Sequence, residues 1–114
     1  MDTTSAVASL SALAHEGRLA IFRLLVQAGP EGVAAGEIAR RLEVLPNTLS
    51  ANLTILSHAG LIVSRRVGRS IIYTAQYDAM REVLGFLMED CCGGDASICA
   101  PLAEIANRAA CCVV

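Results

Sequence analysis

Cysteines are the residues of this sequence that are best suited to chemistry, and all five lie near its C-terminal end: Cys91, Cys92, Cys99, Cys111 and Cys112. Thiolates are soft ligands that select soft ions, and trivalent arsenic or antimony binds three of them in a pyramid. Gly93 and Gly94 allow the chain to turn back after the first pair. We therefore expect Cys91, Cys92 and Cys99 to form a three-sulfur site within one subunit. Cys111 and Cys112 are candidates for a secondary site.

Other interpretations of these cysteines stay open. Four thiolates would close a structural zinc site, and cadmium or lead would use the same ligands. However, the usual C-x2-4-C spacing is absent, and His15 and His58 lie far from the cysteines in sequence. Free thiols without function, a metal-buffering protein and a small cytosolic thiol enzyme are further alternatives. The enzyme is disfavoured, and no catalytic residue is expected, because the chain has no C-x-x-C motif and no neighbouring base.

The composition of the chain favours a reducing compartment for these thiols. A length of 114 residues suits one domain, and 54% apolar with 4% aromatic residues favours packed helices over a β-sandwich. No apolar run approaches the roughly 20 residues that span a bilayer, and the polar start MDTTS is unlike a signal peptide. We therefore expect a cytoplasmic protein without membrane contact, whose cysteines are ligands or reactive thiols rather than disulfides.

Basic residues are concentrated in the middle of the chain. All nine cations are arginines, and residues 18–81 hold eight of them against four acids. Residues 82–114 hold one arginine against five acids, so the net charge of −2 hides a basic centre. Such a centre can bind phosphate locally while the whole chain stays slightly acidic.

Hydrophobic periodicity predicts the elements that position these residues. It predicts a hairpin around Val67-Gly68-Arg69, between LIVSRR and SIIYT, and helices over 5–14, 18–28, 34–42, 46–58, 76–90 and 101–110. Gly29-Pro30 ends the second helix, and Pro46 suits the first turn of the fourth. The predicted fold class is therefore mainly α with one β-hairpin.

Two short helices joined by a tight turn and followed by an Arg-tipped hairpin predict a winged helix-turn-helix. A recognition helix needs an apolar stripe toward the core, here Leu49, Leu53 and Leu56, and short polar side chains toward the major groove. The predicted DNA-binding residues are Asn47, Thr48, Ser50, Asn52, Thr54, Arg65, Arg66 and Arg69. The arginines would bind phosphate and supply affinity rather than sequence information. A small helical interaction domain is the alternative, but it does not explain this order of elements.

The stretches LSALAHEGRLAIFRLL and GEIARRLEVLPNTLSANLTILSHAGLIVSRRVGRSIIYT resemble the ArsR/SmtB-type metalloregulator family over about residues 8–90. The resemblance implies a homodimeric repressor that binds an inverted-repeat operator and is released by an inducer. As(III) is the best candidate inducer, followed by Sb(III) and methylated trivalent arsenicals. Arsenite sensors with a site on the third helix carry a cysteine pair where Val33-Ala34-Ala35-Gly36 stands here, but the family also places thiol sites on the C-terminal helix. Ala51-Asn52 and His15-Glu16-Gly17 depart from the common pattern as well, so base preference is not carried over.

Two apolar stripes remain after a winged-helix core has formed from the helices at 18–58 and the hairpin. One is on the first helix and the other on the helix over 76–90, and pairing them across a two-fold axis would bury both. Packing of each stripe on its own core is the alternative. We expect residues 1–92 to form the DNA-binding and dimerisation domain. Residues 93–114 would form a cysteine-containing segment of the same domain.

Overall fold

The computed structural model describes residues 1–88. In chain order, its elements are α1 (Thr3–Leu13), α2 (Glu16–Ala28), β1 (Val33–Ala34), α3 (Ala35–Leu42), α4 (Pro46–His58), β2 (Ile62–Val67), β3 (Ser70–Ala75) and α5 (Tyr77–Met88). This order confirms the predicted winged helix-turn-helix, with α3 and α4 as the helix pair and β2 and β3 as the wing. The helix predicted over 101–110 and the segment predicted over 93–114 lie outside the described residues.

Side-chain caps start α1 and α2 two residues earlier than the sequence predicts. The Asp2 carboxylate accepts a hydrogen bond from the Ser5 backbone N–H at 2.7 Å. Before α2, His15 Nδ1 accepts from the backbone N–H groups of Gly17 at 3.1 Å and Arg18 at 3.4 Å. These caps satisfy amides that have no partner within the helix. Periodicity marks only the residues that face the core, so it does not detect such polar first turns.

The wing belongs to a three-stranded antiparallel sheet with the strand order β1-β3-β2. The strand β1, in which Val33 lies opposite Tyr73 on β3, is only two residues long and was not predicted from the sequence. Gly32 leads into this strand with a φ of +75°, and a Cβ there would collide with the Tyr73 carbonyl oxygen. A glycine is therefore required where the chain enters the sheet.

The core lies between the helices and the inner face of the sheet. Its largest fully buried side chains are Ile21, Leu25, Ile38, Leu56, Leu61 and Ile62. The predicted stripe of α4 is confirmed, since Leu49, Leu53 and Leu56 are all at most 4% exposed. Tyr77, at the start of α5, donates its hydroxyl hydrogen to the Val26 carbonyl of α2 at 3.2 Å. The recognition helix, the wing and α5 are thus all held by one core.

Candidate nucleic-acid interface

The recognition helix α4 presents short polar side chains on the face opposite its leucines. Asn47, Thr48, Ser50 and Thr54 are all exposed. The Thr54 hydroxyl donates to the Ser50 carbonyl oxygen at 2.9 Å, which leaves its oxygen lone pairs as acceptors. Because the leucines fix the rotation of the helix, these four residues form one hydrogen-bonding surface of a size that suits base edges.

Asn52 does not belong to this surface, and its prediction as a groove-facing residue is wrong. It is only 8% exposed, and a Cβ at Gly17 would lie 3.2 Å from its amide nitrogen. Asn52 stands three residues after Leu49 and four before Leu56, so helical spacing places it on the buried side. That spacing was a signal for the correct placement. The residue packs α4 against the start of α2 instead.

The end of α3 carries two cations that the sequence analysis did not assign to the interface. Glu37 accepts from Arg40 Nε and from Arg41 Nε, each at 2.9 Å. These two guanidinium groups lower the pKa of the Glu37 carboxyl from 4.5 to about 2. Both arginines remain exposed, and they directly precede the turn that leads into α4. One carboxylate pairs with two guanidinium groups, so these three side chains together keep a net positive charge.

The three arginines of the wing fall into two groups. Consecutive residues of a strand point to opposite faces of the sheet, and Arg65 and Arg66 are consecutive on β2, opposite Ile72 and Ile71 of β3. The Arg65 Nη2 donates to the Glu31 carbonyl at 2.7 Å, which ties β2 to the chain before β1. Arg66 and Arg69 are exposed, and neither side chain forms a hydrogen bond or an ion pair within residues 1–88. These two are the cations of the wing that are free to bind an anion.

The arginine at the wing tip follows a glycine that shapes the turn. Val67 pairs with Ser70 at the end of the hairpin, so the turn consists of Gly68 and Arg69. Gly68 has a φ of +62°, a conformation that favours glycine. Arg69 is thereby carried at the outermost point of the hairpin.

The predicted thiolate site, Cys91, Cys92 and Cys99 with Cys111 and Cys112, lies outside the described residues. Within residues 1–88, no group of three or more histidine, cysteine, aspartate or glutamate side chains is placed to hold a metal ion. His15 caps α2, and His58 is exposed in the last turn of α4.

An apolar surface lies on the side of the molecule formed by α1 and α5. Val7 and Leu10 of α1 are 54% and 39% exposed, and Leu87 of α5 is 57% exposed. Between α1, α2 and α5 runs a groove of about 350 Å³ that is lined mainly by apolar side chains, half of its lining residues being leucines. The large side chains of α1 point outward because its small ones, Ala6, Ser9 and Ala12, are buried. This surface agrees with the apolar stripes predicted from the sequence.

A helix anchored by leucines, with a polar outer face beside a hairpin that carries free arginines, defines a winged helix-turn-helix DNA-binding protein. A family model described as a helix-turn-helix domain matches residues 13–65. The nodulation protein NolR of Rhizobium meliloti is 34% identical over 88 residues, which cover 77% of this chain and 70% of NolR. The chain belongs to the ArsR family of winged helix-turn-helix transcriptional regulators.

Two solved structures extend this likeness to the fold. An ArsR-like transcriptional regulator from Rhodococcus sp. RHA1 has a TM-score of 0.68 at 26% identity, covering 90% of this chain and 93% of its own. The DNA-binding domain of Mb0332 from Mycobacterium bovis, a possible ArsR-family regulator, has a TM-score of 0.62 at 29% identity, covering 76% and 81%. That domain is described as a homodimeric winged helix-turn-helix. No helix within residues 1–88 of the present chain is both long and apolar enough to cross a bilayer.

Proposed function

We propose that this chain is a cytoplasmic, homodimeric repressor that leaves its operator when its cysteine thiolates capture As(III) or Sb(III). The observation that carries DNA binding is that one fold presents both the polar face of α4 and two arginines, Arg66 and Arg69. The side chains of these arginines have no partner in the described structure. Short polar groups suit base edges, and free guanidinium groups suit phosphates. The Rhodococcus protein is described as a transcriptional regulator, which supports a regulatory function for this chain.

The apolar surface of α1 and α5 supports the homodimer. An exposed Val7, Leu10 and Leu87 together with the adjoining groove would be costly in water, and a two-fold axis through this surface would bury it on both protomers. A dimer would present two copies of α4, and such proteins read half-sites about one helical turn, roughly 34 Å, apart. The homodimeric description of Mb0332 agrees with this assembly.

The dimer is tested by making its surface polar. Replacement of Leu10 and Leu87 together by Gln should convert the protein from dimer to monomer in light scattering after size exclusion. A matched control replaces Val63 and Ile71, which are each 43% exposed on the sheet, by Gln. The control should remain dimeric. If the Leu10 and Leu87 double variant remains dimeric, the subunit interface does not lie on the surface of α1 and α5.

The proposed inducer follows from the cysteines of the chain itself. All five occur within residues 91–112, immediately after the helix that carries the apolar surface. Three thiolates satisfy trivalent arsenic or antimony, and methylated trivalent arsenicals belong to the same soft class. Zinc, cadmium or lead would use the same sulfurs in a repressor of the same fold. The proposed inducer therefore rests on these cysteines and on the resemblance of the sequence to metalloregulators.

The deciding experiment measures release from DNA by each metal. Wild-type protein is first used to select its preferred duplex from a random-sequence pool, and release is then followed by fluorescence anisotropy under a phosphine reductant. We expect arsenite and antimonite to release the duplex, and zinc, cadmium and lead to leave it bound. Release by zinc, cadmium or lead, and not by arsenite or antimonite, would mean that the inducer is that metal. If the protein selects no duplex at all, a metal-buffering protein and a thiol enzyme are the remaining alternatives for its function.

Cysteine variants locate the inducer site. Ser at Cys91, Cys92 or Cys99 should leave DNA affinity unchanged and abolish release by arsenite. The matched control, Ser at both Cys111 and Cys112, should preserve release, and X-ray absorption should find three sulfur neighbours around arsenic. If Cys99→Ser releases DNA normally while the Cys111 and Cys112 double variant does not, the site is built from the two cysteine pairs.

A further inference from the structure

Leu45 is an apolar side chain in an unfavourable place. It is 75% exposed, more than any other large apolar side chain within residues 1–88. It also occupies the N-cap of the recognition helix, where its side chain makes no capping hydrogen bond. Leucine is among the poorest N-cap residues, and serine, threonine, aspartate and asparagine are the favoured ones. The Leu45 carbonyl accepts from the Leu49 backbone N–H at 3.0 Å, but its side chain contributes neither to the core nor to the cap of α4.

The backbone holds Leu45 in a defined direction at the tip of the helix. Pro46 occupies the first helical position, and a residue before proline is restricted to extended conformations. Leu45 accordingly has a φ of −68° and a ψ of 143°. Because its backbone is restricted in this way, little backbone freedom remains to be lost when the side chain makes a contact. Its nearest exposed polar neighbours along the helix are Asn47 and Thr48, which belong to the polar face of α4.

We propose that Leu45 is a specificity residue that contacts the 5-methyl group of a thymine in the operator. This inference rests on the proposed DNA binding by α4. Recognition helices place their N-terminal residues against base edges in the major groove. Among the base-edge groups that proteins contact in the major groove, the C5-methyl of thymine is the apolar one. An exposed, preoriented leucine beside two hydrogen-bonding residues matches a thymine next to polar base edges.

Uracil substitution tests this contact, since it removes only the methyl group. Starting from the duplex that wild-type protein selects out of a random pool, each thymine is replaced in turn by deoxyuridine. Burial of one methyl group corresponds to about a fourfold change in affinity. We therefore expect one thymine per half-site at which deoxyuridine weakens wild-type binding about fourfold. Both half-sites together should give about fifteenfold.

The Leu45→Ser protein separates the contact from a change in stability. Serine restores a capping oxygen, so the thermal midpoint should rise while operator affinity falls by about fourfold per half-site. This variant should no longer distinguish thymine from uracil at the sensitive position, whereas Leu45→Met should still distinguish them. Val63→Ser, a change of another exposed apolar residue, should keep the full uracil effect.

The outcomes distinguish this inference from the function on which it rests. Failure of the wild-type protein to select any duplex would overturn DNA reading by α4 and Leu45 with it. Selection of a duplex with the same uracil sensitivity in wild type and Leu45→Ser would overturn only the role of Leu45. A Leu45→Ser protein that becomes monomeric would also overturn it, by assigning the leucine to the subunit interface.

Discussion

The division of the wing arginines into free and bound side chains predicts different salt dependences for their variants. Arg66 and Arg69 have no partner within residues 1–88, whereas Arg65 donates to the Glu31 carbonyl at 2.7 Å. A cation that neutralises a phosphate releases condensed counterions from DNA, so its loss lowers the slope of log affinity against log salt concentration. We expect Arg66→Ala and Arg69→Ala each to lower that slope, and Arg65→Ala to lower it less.

The magnitude follows from one phosphate contact per arginine in each protomer. Each contact contributes about 0.9 to the slope for duplex DNA, so one substitution in a dimer removes about 1.8. Between about 50 and about 200 mM salt, the affinity gap between wild type and variant should therefore shrink roughly twelvefold. Fluorescence anisotropy over this range, on operator and on random duplex, measures both slopes. Because phosphate contacts do not read bases, the loss should be similar on both duplexes.

Two controls make the wing prediction refutable. Arg81→Ala removes the same charge from α5, where Arg81 pairs with Asp78 at 2.8 Å, and should leave the slope unchanged. Arg65→Ala should instead lower the stability of the sheet, because it releases the link to Glu31. Unchanged slopes for both Arg66→Ala and Arg69→Ala would remove the wing from the DNA interface. An equal slope change in Arg81→Ala would reduce the effect to net charge.

Three further predictions concern the scaffold of the site. Gly32→Ala should destabilise the fold by about 2 kcal/mol more than Gly29→Ala in urea unfolding. Both glycines have a positive φ, but only at Gly32 would a Cβ meet the Tyr73 carbonyl. Equal losses of stability in the two variants would refute this contact. The lowered pKa of Glu37, about 2 against 4.5, means that its ion pairs stabilise the fold above pH 4.5 and cease to do so as the pH falls toward 2. Glu37→Gln should therefore melt below wild type at neutral pH and together with it near pH 2, and a gap that persists in acid would contradict this. His15→Ala should cost about 0.5–1 kcal/mol by loss of the α2 cap, and His15→Asn should recover it in thermal unfolding; no recovery would assign His15 another role.

Elements defined by local periodicity were predictable from the sequence. Leu49, Leu53 and Leu56 repeat at helical spacing, so both the helix and its rotation follow from them. Pro46 and Gly68 mark a helix start and a hairpin turn through backbone preferences that act within a few residues. The helix-turn-helix and the wing were therefore predicted correctly from the sequence.

Features that depend on distant parts of the chain were not predictable in this way. Arg65 and Glu31 are 34 residues apart in sequence, and their contact exists only because β3 brings β2 and β1 into one sheet. The strand β1 is two residues long, too short for an alternating pattern to appear. Asn52 was misplaced for another reason, since a polar residue was treated as exposed although its spacing from Leu49 indicated burial.

Release by the proposed inducer has a thermodynamic consequence that can be measured from either side. α1 packs against α4 and against α5, so a displacement of α5 has a direct mechanical path to the recognition helix. Whatever the path, a ligand that lowers operator affinity by some factor must bind the DNA-bound protein more weakly by that same factor. We expect the arsenite dissociation constants of free and operator-bound protein, measured by thiolate absorbance, to differ by a certain factor. This factor should equal the one by which saturating arsenite weakens DNA binding. The double variant Cys111→Ser and Cys112→Ser should show the same agreement between the two factors. Equal arsenite affinities accompanied by full release would mean that release is not a reversible binding equilibrium, and that an irreversible reaction of the thiols removes the protein from DNA instead.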